Sequence, residues 1–266
     1  MSTGAADERP HGLTLGQRAW VTAGGALALV VALVPPLSSA ARSYDYAAAL
    51  QFSLLAIVVP ALLAIGAPWS LRRPGAASAV SEEQPGPLEV LADRRRRHPE
   101  LTRTLVFVVL DLAVVLAWRA PSAVALVARH AWMAPVQAVV LVVFGIGLWW
   151  ELVESPPLVP RSGPLRRAVL AAVIMWVFWV DAYVVGLSNS DWYRNFHHVA
   201  GQGLSAAADQ QVAAVILWFV SAVAFVPLIF WDALRWIRSE EDADAELYKM
   251  TRTEFRRSPP GPTTSG

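Results

Sequence analysis

The sequence predicts an all-α protein, a polytopic transmembrane bundle of about six helices whose two ends lie in the cytoplasm. Hydrophobic residues make up 55% of its 266 residues and charged residues only 16%, and the mean hydropathy is +0.43. The charged residues collect in a few blocks between long uncharged stretches, whereas a soluble domain alternates apolar and polar residues. The uncharged stretches are predicted spans and the charged blocks are predicted loops and tails.

The predicted spans follow from length. A helix needs about 20 apolar residues to cross about 30 Å of hydrocarbon. Six stretches approach or exceed this length, at 19–37, 46–67, 104–120, 134–150, 168–187 and 210–231. The apolar part of 121–133 is too short to cross, so we expect it to extend the third helix or to lie at the interface.

The distribution of basic residues predicts the orientation. Cytoplasmic loops carry an excess of arginine and lysine. The side that holds both tails and the second and fourth loops carries 18 of the 22 basic residues, and the other side carries Arg42, Arg119, Arg129 and Arg194. Both termini are therefore predicted to be cytoplasmic, with a tail at 1–18, a membrane domain at 19–238 and a second tail at 239–266.

The ends of the predicted spans carry further signals. Trp20, Trp118, Trp149 and Trp150 lie at predicted helix ends, where an amphipathic ring suits the headgroup region. The small residues at 37–41 allow an alternative interpretation of the first span as a cleaved signal peptide. Cleavage would leave five helices in the same orientation.

Two charged segments lie outside the predicted spans. The loop at 69–103 is predicted to be a flexible cytoplasmic linker, whose arginine run at 94–97 either contacts anionic lipid or only fixes the topology. The C-terminal tail is predicted to continue the last helix and to end in a disordered stretch at 258–266.

Several function classes lack support in the sequence. The chain has no cysteine, which excludes disulfides and thiolate ligands, and its net charge of +1 does not indicate a nucleic-acid partner. No phosphate-binding loop, nucleophile elbow or zinc-protease motif is present. We therefore predict no catalytic residues and no enzyme activity.

Polar residues inside predicted spans are the candidate functional residues, because burying them in a bilayer is costly. The alternating topology brings six of them toward the extracytoplasmic end, namely Gln51, Gln137, Asp181, Asp209, Gln210 and Gln211. We expect these six to form a polar cluster on the outer side. The lipid bilayer is the first predicted partner.

Each member of this cluster also has a simpler interpretation. Asp209 precedes an apolar run and suits the N-cap of its own helix, and Gln51 and Gln137 suit hydrogen bonds between helices. Asp181 has no basic neighbour in its own helix, so it must face a cavity, find a partner elsewhere or be protonated.

Other polar residues carry weaker signals. Asp111 lies in the middle of the third span, where a proton relay is conceivable but has no chain of partners. The pair His197 and His198 superficially resembles a metal site, but adjacent side chains point apart in regular structure. His130 lacks a matching axial partner for a cofactor. No metal site is predicted from these residues.

Four segments together resemble the CtaG-type cytochrome c oxidase assembly factor family. The resemblance runs in order from about residue 44 to residue 238, and the Asp-Gln-Gln segment that opens the last span is its most distinctive part. The segments are Gln51 with Pro60, Gly66 and Pro68; Trp118 through Pro121; Gly145 with Trp149 and Trp150; and Asp209 through Gln211 with Trp218.

The resemblance implies a bacterial plasma-membrane protein that helps a haem-copper oxidase mature, assisting copper delivery on the outer side. Its implied partners are oxidase subunits or other assembly factors. The chain departs from the family pattern, because five expected histidines are replaced by Ala48, Phe52, Arg119, Ala134 and Ala138. The family is also described with seven helices rather than six.

Without imidazoles at these five positions and without any cysteine, the natural copper ligands are missing. We therefore predict an assembly or accessory factor for a haem-copper oxidase without its own copper site and without another cofactor. The alternative is a small permease or ion-coupled carrier, for which Asp111, Asp181 and the proline-containing helices at Pro60 and Pro227 are the relevant features. A membrane enzyme or cofactor-binding subunit is the third interpretation.

Overall fold

The computed structural model describes residues 13–71, 86–97, 101–188, 190, 192–199 and 205–257, with backbone alone at 197–199 and 251–257. Six of its helices are long and apolar enough to cross a membrane, which confirms the predicted all-α bundle. The helices are α1 (Leu15–Leu33), α2 (Asp45–Leu71), α3 (Pro87–Arg97), α4 (Leu101–Arg119), α5 (Pro121–Arg129), α6 (Met133–Leu152), α7 (Pro164–Gly186) and α8 (Ala206–Arg257). The spans are α1, α2, α4, α6, α7 and the first part of α8.

Contacts between distant residues define the two ends of the bundle. At one end, which we call the basic end, α2 finishes, α6 finishes and α7 begins: Trp69 donates to the Pro156 carbonyl at 2.8 Å, and Arg167 bonds Asp232 at 2.6 Å. At the other, the Asp181 end, α2 begins beside the start of α8, where Asp209 accepts from the Asp45 N–H at 2.7 Å. Consecutive spans therefore run in opposite directions.

The second span is an irregular helix. A π-helical turn, Leu54–Val58, interrupts it just before Pro60, which cannot donate a backbone hydrogen bond. Gly145 of α6 packs directly against this proline, since a Cβ atom there would lie 2.6 Å from the Pro60 Cγ. Gly66 packs equally closely on Thr22 of α1. Small residues thus let α2 approach both neighbouring helices.

Aromatic residues fill the centre of the bundle. Trp149 stacks on Phe225 of α8, with ring centroids 5.3 Å apart, and Phe225 also contacts Phe178 of α7. Trp149 is only 2% exposed, so its ring packs against other helices rather than lying on the outer surface of the bundle. The helix end that carries Trp149 faces other helices, whereas Trp20 on α1 is 81% exposed.

The linker between the second and third spans contains an ordered helix in its described part. In α3, Arg95 is buried and forms an ion pair with Glu151 of α6 at 2.7 Å. Glu151 also accepts hydrogen bonds from Arg161 at 2.8 Å and Thr104 at 2.9 Å. The prediction of a flexible linker is therefore wrong for α3, because one arginine of the predicted basic run is used inside the bundle.

The remaining connections are short. The first span ends at Leu33, earlier than predicted, and is followed by a cis Pro35–Pro36 bond and one helical turn, Leu37–Ala40. The segment after the third span forms the separate helix α5 rather than an extension of α4. The helical conformation is interrupted at Ala120, just before Pro121. The last span continues as helix to Arg257, as predicted. The predicted disordered stretch at 258–266 lies outside the described residues.

Candidate functional site

A buried ion pair occupies the Asp181 end. Arg119 is the last residue of α4, and its Nε donates to Asp181 Oδ2 of α7 at 3.0 Å. The two side chains are 4% and 17% exposed. Asp181 therefore finds its partner on another helix, which was one of the three alternatives for it. The sequence places Arg119 among the basic residues of the outer side and does not predict this contact.

Two aromatic rings enclose the Arg119 guanidinium. Its Cζ lies 5.1 Å from the ring centre of Tyr193 and 5.7 Å from that of Phe52, distances at which the π face attracts a cation. Tyr193 also donates its hydroxyl hydrogen to the Arg119 carbonyl at 3.0 Å. Burial raises the pKa of the Tyr193 phenol, with Arg119 opposing the rise. The phenol is therefore a neutral hydrogen-bond donor at physiological pH.

Asp209 caps the second span rather than its own helix. Its two carboxylate oxygens accept from the backbone N–H groups of Asp45 at 2.7 Å and Tyr46 at 2.9 Å, which are the unsatisfied donors at the start of α2. In α8, the Ser205 hydroxyl accepts from the Ala208 N–H at 3.2 Å instead. The interpretation of Asp209 as the N-cap of its own helix is thus wrong.

Asp45 is a member of the site that sequence reasoning missed. It is 2% exposed, and neither of its carboxyl oxygens has a hydrogen-bond partner among the described residues. Arg119 and Asp209 are close enough to act on its charge. Its position at a predicted helix boundary gave no sign of burial, because the sequence did not reveal that Asp209 would cover this boundary.

The glutamines have separate roles. Gln51 donates to the Ala32 carbonyl at 2.7 Å and so joins α2 to α1. This is the simpler interpretation given for Gln51, a hydrogen bond between helices. Gln210 donates to the Val185 carbonyl at 2.7 Å and accepts from the Trp192 N–H at 3.0 Å, which fastens the connection between α7 and α8. Gln211 is exposed and lines a different cavity, so it does not join the cluster.

A small cavity of about 30 Å³ lies beside the ion pair. Gln51 and Gln137 line it together with Arg119, and three of the positions at which the resembled family has histidine also line it: Ala48, Phe52 and Arg119 itself. Methyl and phenyl groups supply no metal-ligating atom, and a guanidinium has only donors. The space suits about one water molecule.

The other residues singled out by sequence stand apart from this cavity. Asp111 is 2% exposed within α4. His130 ends α5, with its ring centroid 6.4 Å from that of Trp132. The side chains of His197 and His198 lie outside the described residues. Within the described part of the chain, no three histidine, cysteine or acidic residues converge to hold a metal.

The family-motif residues act mainly in packing. Pro60 and Gly66 form the close contacts of α2, and Pro68 follows Ala67, whose φ of 48° interrupts α2 before its last turn. Trp118 lines the small cavity. The rest contact other aromatic rings or begin a helix: Trp149 stacks on Phe225, Trp150 meets Trp69 edge-on, Trp218 meets Trp179, and Pro121 opens α5.

Comparison with known proteins identifies a family. The family model described as cytochrome c oxidase caa3 assembly factor (Caa3_CtaG) matches residues 3–239. No curated protein and no solved structure matches the chain. The family match covers all six spans, including every residue of the Asp181 end described above.

Proposed function

We propose, from the premise that this chain belongs to the family of cytochrome c oxidase caa3 assembly factors, that it supports oxidase maturation without a copper site of its own. Its setting would be the bacterial plasma membrane, with both termini in the cytoplasm. The distribution of arginine and lysine supports this orientation, since 18 of the 22 lie on the side of the termini. The Asp181 end then faces the extracytoplasmic side.

The observation that carries the copper-free proposal is the Arg119–Asp181 ion pair. Arg119 stands at a position where the resembled family has histidine, and it lines the same cavity as Ala48 and Phe52. The guanidinium bonds Asp181 and lies close enough to Asp45 to act on its charge, so a fixed positive charge already occupies this part of the site. A copper ion entering this space would find Asp181 already held by Arg119 and would find too few ligand atoms.

We infer that the protein acts as a binding partner rather than a catalyst. Most polar side chains of the Asp181 end already have structural partners: Asp209 caps α2, Gln51 joins two helices, and Gln210 fastens a connection. A preorganised, closed surface of this kind suits contact with oxidase subunits or with other assembly factors. The carrier alternative loses support, because Asp181 is held by Arg119 rather than facing an open path.

Deletion of the gene tests the assembly role. We expect the membranes of the deletion strain to lose activity and haem absorbance of the cytochrome c oxidase, and plasmid-borne wild-type chain to restore both. An oxidase that assembles normally without the chain, under copper-poor and copper-replete growth alike, would refute the proposal.

Metal analysis tests the copper-free part separately. The chain is purified in detergent, incubated with Cu(I) and desalted before its copper content is measured. We expect copper far below one ion per chain, equal in wild type and in Asp181→Asn. One tightly held copper per chain that Asp181→Asn or Gln137→Ala removes would overturn this part of the proposal and leave the assembly role standing.

A further inference from the structure

A polar cavity of about 570 Å³ opens at the basic end of the bundle. It lies between the start of α1, the end of α6, the start of α7 and the part of α8 beyond Trp231. Its lining contains four arginines and two carboxylates, namely Arg18, Arg167, Arg235, Arg238, Glu154 and Asp232. The cavity is therefore richer in positive than in negative charge.

Only two of these arginines are neutralised. Arg167 bonds Asp232 at 2.6 Å, and Arg235 bonds Glu154 at 2.9 Å. Arg18 and Arg238 have no carboxylate partner among the described residues, and the Arg18 Nε donates only to the Leu13 carbonyl at 3.2 Å. Two uncompensated guanidinium groups thus remain beside the cavity, each able to bind an anion.

An apolar cavity of about 610 Å³ adjoins the polar one. It runs along α2, α6 and α8 with a lining that is apolar throughout, and the two cavities share Val153, Leu228 and Trp231. Along α8 its lining extends from Phe219 to Trp231, a rise of about 18 Å at 1.5 Å per residue. This length is close to that of one leaflet, about 15 Å.

From these adjoining cavities we infer that the basic end binds an anionic phospholipid, with the phosphate between Arg18 and Arg238 and an acyl chain along the apolar cavity on α8. The charge complementarity selects an anionic headgroup, because a zwitterionic lipid brings its own cation to the same arginines. The apolar cavity selects an amphiphile over a free phosphate ion, because only an acyl chain can fill it.

The experiment measures lipid binding to the purified full-length chain in detergent by native mass spectrometry. The probes are dioleoyl phosphatidylglycerol, dioleoyl phosphatidylcholine and inorganic phosphate. The variant Arg18→Gln/Arg238→Gln removes the two uncompensated charges. The matched control Arg96→Gln/Arg166→Gln removes two exposed arginines from the same end that do not line either cavity.

We expect wild type to prefer phosphatidylglycerol over phosphatidylcholine and the Arg18→Gln/Arg238→Gln variant to bind phosphatidylglycerol on the order of thirty-fold more weakly. The control should keep wild-type affinity, and millimolar phosphate should not displace the lipid. Equal losses in both variants, equal binding of the two lipids, or displacement by phosphate would each overturn the inference.

A second pair of variants tests the apolar part. Val223 is 58% exposed and lines the apolar cavity, so Val223→Trp should fold while filling the groove. Val139, 63% exposed on α6, lines neither cavity, and Val139→Trp is its control. Phosphatidylglycerol binding should fall in Val223→Trp alone. Unchanged binding in that variant would contradict the proposed position of the acyl chain.

Discussion

Arg119 and Asp181 join α4 to α7 through a buried ion pair, 3.0 Å between Nε and Oδ2, at a position where the resembled family has a histidine. The pair is enclosed by Tyr193 and Phe52. The pair is an internal structural contact between two spans. The stability of the Asp181 end should therefore depend on both residues together.

Removing one partner of this pair should destabilise the fold more than removing both. Arg119→Gln leaves a buried carboxylate without its partner, at an expected cost of about 3 to 5 kcal/mol in unfolding free energy. The double variant Arg119→Gln/Asp181→Asn leaves no unpaired charge and should recover part of that loss. Denaturant unfolding in detergent measures both, with Arg129→Gln as the control at the same end. Additive losses would contradict the pairing.

Asp209 should stabilise α2 through its cap. Asp209→Ala removes both acceptors of the Asp45 and Tyr46 N–H groups and should cost about 1 to 2 kcal/mol. Hydrogen exchange at those two amides should accelerate in the same variant. The exposed Gln211, two residues further along α8, offers a control, since Gln211→Ala should change neither measurement. Unchanged amide protection in Asp209→Ala would show that the cap contributes nothing.

The contact between Gly145 and Pro60 predicts a position-specific effect on α6. A Cβ at Gly145 would lie 2.6 Å from the Pro60 Cγ, whereas one at Gly147 would make an ordinary contact of 3.4 Å with Phe107. Gly145→Ala should therefore lower unfolding free energy by about 1 to 3 kcal/mol. Gly147→Ala, on the same helix, should have little effect. Equal stabilities of the two variants would contradict the close packing.

Tyr193 should make stability depend on alkaline pH. Because burial raises its pKa in the folded chain, its stabilising contribution is fully present below the ordinary tyrosine pKa of about 10. That contribution is lost as the pH rises from there toward the folded-state pKa. Tyr193→Phe should be less stable at pH 7 by about 1 kcal/mol, for the lost hydrogen bond to the Arg119 carbonyl. The gap to wild type should then narrow above pH 10. A gap that widens with pH would contradict the sign of the shift.

Arg95 should fasten α3 to the bundle through Glu151. Arg95→Gln removes that ion pair, so α3 should detach more often and be cut faster by trypsin at its remaining arginines. Arg96→Gln also removes one cleavage site from the same helix but leaves the Glu151 contact intact, so it is the matched control. Equal cleavage rates in the two variants would show that the Arg95–Glu151 pair does not hold α3.

The spans were predictable from sequence because membrane crossing depends on a local property, the length of an apolar run. The contacts that pair one helix with another were not predictable from sequence. Asp209 caps a helix that starts 164 residues earlier, and no local pattern distinguishes that role from capping its own helix. Arg119 looked like a charge in an outer connection, because the sequence did not show that α7 would bring Asp181 beside it.

The candidate cluster was predicted in part for the same reason. In the structure, Gln51, Gln137 and Asp181 lie at one end of the bundle, and alternation of the helices is enough to predict the depth of each residue. It did not fix which way a side chain faces, so Gln211 was included and Asp45 was missed. Glu151 directly follows Trp149 and Trp150 in the sequence. The three side chains that donate hydrogen bonds to its carboxylate come from α3, α4 and the α6–α7 connection, so none of them lies next to it in the sequence.

The most direct test is complementation of the deletion strain with the charge-neutral double variant Arg119→Gln/Asp181→Asn, with oxidase activity measured in membranes that contain equal amounts of folded chain. We expect full restoration by wild type and by Arg129→Gln. We expect a marked loss with the double variant, because the ion pair holds the Asp181 end in its preorganised arrangement, and added copper should not correct this loss. Full oxidase activity with the double variant would contradict the role of the ion pair, and rescue by copper would contradict a copper-free mechanism.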